Sequence, residues 1–117
     1  MLPPIRATIA ADATANGLLS GRVYRHGSAP KDVARPYVTW SVPGGSPENA
    51  LDGAEIDVFR VQVDCWADTD AGVETLASAV RGALEGAANV VAYVADERDP
   101  ETQRFRISFQ LDWIHMR

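Results

Sequence analysis

Two periodicities divide the chain. From Glu55 to Ala67 apolar and polar positions alternate, with Phe59, Val61, Val63, Cys65 and Ala67 on one side and Arg60, Gln62, Asp64 and Trp66 on the other. That is the period of a half-buried strand. The same alternation runs from Thr102 to Met116, where Phe105, Ile107, Phe109, Leu111 and Trp113 share a face. Between these stretches the apolar residues Val73, Leu76, Ala77, Val80, Ala83 and Leu84 recur at helical spacing. Asp68, Thr69 and Asp70 supply side-chain acceptors for the free amides of that helix, which ends near Gly86.

The remaining elements are shorter. Pro3 and Pro4 suit a first helical turn, and Ile5, Ile9 and Ala13 repeat before Asn16-Gly17 interrupts the pattern, predicting one short N-terminal helix. Arg22 to Arg25 reads as a short strand, followed by a loop from His26 to Arg35. Tyr37 to Val42 reads as a strand with Val38, Trp40 and Val42 on one face. From Pro43 to Ala54 the glycines Gly44, Gly45 and Gly53 and the prolines predict a mobile connecting loop. Val90 to Ala95 forms a strand, and Asp96 to Glu101 is a charged turn.

The order of helix, strands, helix and strands has too few crossovers for a parallel sheet. It predicts an α+β domain spanning residues 1–117, an antiparallel sheet of about four to five strands with two helices on one face. The opposite face then carries Arg60, Gln62, Asp64, Trp66, Arg104, Arg106, Ser108 and Gln110, a mixture that suits either solvent or an interface.

Composition narrows the function. At 117 residues and 46% hydrophobic content the chain fills one core. A formal net charge of −5 argues against a surface built to neutralise nucleic-acid phosphates. The single cysteine, Cys65, leaves no intrachain disulfide and no multi-cysteine zinc site, and its place among apolar strand residues makes it a core side chain. No stretch approaches the ~18 apolar residues of a membrane span, and Met1-Leu2-Pro3-Pro4 does not open like a signal peptide.

Catalytic chemistry finds little support. His26 and His115 have no local motif pairing them with Cys65 or a serine. Asp68 and Asp70 sit where a helix begins and serve as caps, without the spacing of a metal loop. Gly44 and Gly45 follow a strand, but no helix start comes after them to cradle a phosphate. We expect no catalytic residue, no metal and no cofactor. The arginines Arg22, Arg25 and Arg35 around one loop, and Arg104 and Arg106 along a strand, are available to a partner's carboxylates.

Several segments carry a family resemblance: Gly21-Arg22-Val23-Tyr24 with a Pro-containing loop, Arg35-Pro36-Tyr37-Val38-Thr39-Trp40, and Val61-Gln62-Val63-Asp64-Cys65-Trp66-Ala67. The helix Ala71 to Leu84 and Arg104-Phe105-Arg106-Ile107-Ser108-Phe109 follow in order. With these elements the chain resembles the tail-completion or tail-terminator proteins of long-tailed bacteriophages and prophages. The resemblance implies a structural virion protein, assembled in the host cytoplasm, forming a hexameric ring at the head-tail junction. Such a ring caps the tail tube, ends its growth and meets the head-completion or neck proteins, while DNA passes through without being read. Two sets of residues are the expected interface: the loop residues Gly44, Gly45, Ser46, Pro47, Glu48 and Asn49, and the sheet-face residues Arg60, Trp66, Arg104 and Arg106. The alternatives are another head-tail connector, a small enzyme whose site unites His26, Asp64 and Arg60 only on folding, and a module that takes a peptide on a sheet edge.

Overall fold

A computed structural model describes residues 2–49 and 55–116. Among the described residues three helices, α1 (Ile5–Ala10), α2 (Ala13–Leu19) and α3 (Asp70–Glu85), accompany five strands. The strands are β1 (Val23–Arg25), β2 (Tyr37–Asn49), β3 (Glu55–Ala67), β4 (Ala88–Arg98) and β5 (Phe105–Met116). They form one sheet in the order β1-β2-β3-β5-β4. The expected α+β class holds, with more residues in strands than in helices. The pairings β2–β3, β3–β5 and β5–β4 are antiparallel as expected, whereas β1 lies parallel to β2. The loop between β1 and β2 is long enough to bring the chain back to the same end of the sheet, which makes the sheet mixed.

β3 and β5 are the spine. Their alternation pairs Val61 with Leu111, Val63 with Phe109 and Cys65 with Ile107, so one face of both strands is apolar. α3 lies against this face with Val73, Leu76, Val80 and Leu84 essentially inaccessible. Each such side chain contributes about 1.5–3 kcal/mol by leaving water. The helix starts where Thr69 Oγ1 accepts from the Gly72 amide at 2.9 Å, the capping geometry that the sequence implies. Ile5, Ile9, Ala15 and Leu19 of the first helices join the same hydrophobic cluster.

The single N-terminal helix expected from sequence is two helices. Asp12 takes an extended conformation and its Oδ1 accepts from the Ala15 amide at 3.0 Å, ending one helix and capping the next. Asn16 and Gly17 lie inside α2, and the left-handed Ser20 closes it instead. Here the tertiary demand to bury Leu19 outweighs the poor helix propensity of Gly17.

The expected loop from Pro43 to Ala54 is largely strand. β2 continues through Gly44, Gly45, Ser46, Pro47, Glu48 and Asn49, which pair with Arg60 back to Glu55. A register shift between Ser41 and Gly44 absorbs the break in alternation. The reason is cooperative: β3 is already held by β5 as far as Ile56 opposite Met116, so β2 finds a preformed ladder despite its composition. Pro47 is tolerated because β1 pairs only with Val38 to Trp40, so farther along β2 has β3 on one side and no strand on the other among the described residues. The rest of that expected loop, residues 50–54, lies outside the described residues. The outcome is an arm that contributes to dimensions of 51 × 28 × 23 Å.

Candidate functional site

Three surfaces stand out: the helix-free sheet face, the arm, and the two sheet edges. On the helix-free face Tyr37 and Trp66 stack with ring centroids 5.8 Å apart and planes inclined by 6°. Trp66 Nε1 donates to Thr39 Oγ1 at 3.1 Å, and the Arg106 guanidinium lies 5.5 Å from the Trp66 ring. Arg106 also pairs with Glu97 and approaches Asp64 at 3.9 Å. Asp64 in turn accepts from the buried Ser108 hydroxyl. Farther along, Arg60 Nε donates to Asp112 Oδ1 at 2.6 Å, and Gln110 Nε2 donates to Gln62 Oε1 at 3.3 Å.

The sheet-face residues singled out from sequence are therefore occupied within the chain. Arg60, Trp66 and Arg106 share one face, as their alternation predicts. Arg104 does not belong to β5 and precedes it. Its Nη1 donates to the Tyr37 hydroxyl at 2.8 Å and its Nη2 to the Lys31 carbonyl at 3.5 Å, tying the β1–β2 loop to the sheet. An arginine that bonds across a fold is pre-organised and has fewer donors left for a partner.

The arm has two unlike sides. On the helix-free side the cross-strand pairs Ile56–Met116 and Val58–Ile114 meet beyond the Arg60–Asp112 pair. Ile114 and Met116 are 54% and 67% exposed. The sequence pattern held this signal, since both residues fall on the polar side of β5, where apolar side chains have no core to enter. On the other side Gly45 runs against β3, where a β-carbon would collide with the Val58 carbonyl oxygen. Val42, Gly45, Pro47 and Phe59 line an open hollow there.

The edges are β1 on one side and β4 on the other. β4 carries exposed Val91, Tyr93 and Val94 and is broken by register shifts between Val90 and Ala92 and between Tyr93 and Ala95. Such bulges blunt an edge against indiscriminate pairing. Between β4 and α3 runs a groove lined by Asp70, Glu74, Tyr93, Val94, Asp96 and Ile107. At the β1 edge Arg25 lies 4.8 Å from the Trp40 ring and its Nη2 donates to His26 Nε2 at 2.7 Å. Its Nε is buried without a hydrogen-bond acceptor among the described residues.

The residues that a catalytic reading would unite each bond a different partner. His26 bonds Arg25, Asp64 bonds Ser108 and Arg60 bonds Asp112. Cys65 is fully buried, and burial, reinforced by the Asp64 charge, pushes its thiol far above the usual range. Among the described residues no group of three or more His, Cys, Asp or Glu side chains forms a metal-binding cluster.

An α+β sheet with a projecting arm, two open edges and an internally paired polar face defines a module that works through surfaces. Residues 3–116 match the family described as "Tail completion protein gp17", and the chain belongs to that family. It is a phage-tail structural protein. Among solved structures the fold is similar to a chain of the "Virion of native gene transfer agent (GTA) particle". The two superpose with a TM-score of 0.70 at 16% identity, over 97% of this chain and 92% of that one. No curated protein matches the sequence significantly.

Proposed function

We propose that this protein closes the head-proximal end of the tail tube as a ring of six copies, ends tube growth and offers the joining surface to head-completion or neck proteins. The observation that carries the reading is the family match over residues 3–116. The structure adds support of a physical kind: an arm with exposed Ile114 and Met116 suits contact with another protein. In this reading the arm residues Gly44, Gly45, Ser46, Pro47, Glu48 and Asn49 meet the tube or a neighbouring copy. DNA passes through the ring, and a net charge of −5 disfavours its retention. The protein has no catalytic step in this role, and the whole chain acts as one domain.

Light scattering of the purified protein across concentration, alone and with polymerising tail-tube protein, tests the proposal. The expected result is a discrete ring, alone or at the tube end, together with arrested tube growth. Tubes that lengthen unaffected, with the protein unbound at their ends, would overturn it. Binding to a portal-side protein in place of the tube would instead make it a different head-tail connector.

A further inference from the structure

The two edges of the sheet carry opposite charge. Around β1, residues 22–35 hold Arg22, Arg25, Lys31 and Arg35 against the single acid Asp32. Around the far end of β4, residues 94–101 hold Asp96, Glu97, Asp99 and Glu101 against the single base Arg98. Some of these charges are used within the chain, since Arg35 pairs with Asp68 and Glu97 with Arg106. Lys31, Glu74 and Asp96 are exposed and form no salt bridge among the described residues.

The edges are also matched in level and direction. Arg25 is aligned with Trp40, Trp40 with Val63, Val63 with Phe109 and Phe109 with Tyr93, so Arg25 and Tyr93 end one row across the sheet. Val23 and Asp96 end another row, through Val38, Cys65 and Ile107. β1 runs with β2 and β5, whereas β4 runs with β3. A copy placed beside the sheet in the same orientation therefore sets its β1 antiparallel to β4, in the pattern with near-perpendicular hydrogen bonds. Arg25 lies on the Trp40 side of β1. On β4 the acidic groove with Asp70, Glu74 and Asp96 opens on the α3 side. Trp40 belongs to the core beneath α3, so Arg25 and the carboxylates of the groove lie on the same side of the joined sheet.

We propose that successive copies join head to tail through these edges, β1 of one copy beside β4 of the next, with Arg25 facing the carboxylates of the α3–β4 groove and Lys31 adding positive charge from the adjoining loop. A two-fold contact of β4 with β4 would crowd the acids of two copies, and one of β1 with β1 would crowd the bases, so charge selects the heterologous contact. A heterologous contact is the kind that generates rings. This inference deepens the ring of the proposed function and rests on it for the number of copies only.

Charge swaps test the contact. One variant carries Arg25→Glu with Lys31→Glu, and another carries Glu74→Lys with Asp96→Lys. Each faces its own copies with like charge on both edges, and self-association measured by sedimentation should weaken by more than about tenfold. An equimolar mixture restores opposite charges at every contact and should reassemble to wild-type size. Because Arg25 packs on Trp40, Arg25→Gln, which removes the charge and keeps much of the stem, is the companion variant, checked for an unchanged melting temperature. The proposal is overturned by wild-type protein that stays monomeric to near-millimolar concentration, by a two-fold dimer, or by folded variants that assemble like wild type. It is equally overturned if the mixture fails to reassemble. Monomeric protein that still arrests tube growth would remove the edge contact and leave the capping role intact. Rings that ignore tubes would do the reverse.

Discussion

Tyr37 and Trp66 lie directly opposite one another in the β2–β3 ladder and stack almost parallel, their planes 6° apart, with Tyr37 only 4% exposed. The pair joins the strand that leaves the β1–β2 loop to the strand at the centre of the sheet. It also receives Arg104 at the Tyr37 hydroxyl and Arg106 at the Trp66 ring. Residues that look from sequence like free interface anchors thus hold the isolated chain together.

Trp66→Ala should therefore destabilise the free protein by about 2–3 kcal/mol, through lost stacking, the lost hydrogen bond to Thr39 and the lost cation–π contact. Urea titration reads this as a lower midpoint at unchanged slope. A variant with wild-type midpoint and impaired assembly would show instead that Trp66 serves only between copies.

Gly45→Ala brings a β-carbon onto the Val58 carbonyl oxygen, a backbone atom that cannot move without disturbing the ladder. The expected cost is about 1–3 kcal/mol, localised to the arm. Amide hydrogen exchange should show faster exchange from Ser46 to Glu48 and from Ile56 to Phe59, while amides in α3 keep their protection.

Cys65 is 0% exposed, and its thiol is held protonated by burial and by the neighbouring Asp64 charge. A thiol reagent should label it at a rate set by unfolding, and denaturant should accelerate the reaction in step with the unfolded fraction. Rapid labelling of the native protein at neutral pH would contradict this placement.

Asp99 accepts from the amides of Glu101 at 2.9 Å and Thr102 at 3.4 Å in the turn before β5. Those backbone bonds, chiefly that from Glu101, lower its pKa below the ordinary 3.8. A depressed folded pKa gives a contribution that is present above the unfolded value and is lost as pH falls through the folded one. The turn should therefore loosen only below about pH 3.8, and carboxyl NMR titration should place Asp99 beneath exposed aspartates. Asp99→Asn should flatten that part of the acid profile.

The sequence by itself determined β3, β5 and α3, because each buries a long stripe whose period is set by backbone geometry and by what must leave water. The alternation in Val61, Val63 and Cys65 and the spacing of Val73, Leu76 and Val80 leave one way for these elements to lie. The face shared by Arg60, Trp66 and Arg106 followed from the same alternation. Only the tertiary structure decided the rest. Gly44 to Asn49 became strand because β3 was already paired beyond them, a cooperative effect that local composition does not carry. The first helical segment split because Asp12 capped a second helix that the core required. The carboxylates that occupy Arg60 and Arg106, Asp112 and Glu97, are distant in sequence or cross a turn, so their pairing depends on register. The same holds for the alignment of Arg25 with Tyr93 across five strands, which belongs to the assembled sheet and to no segment of it.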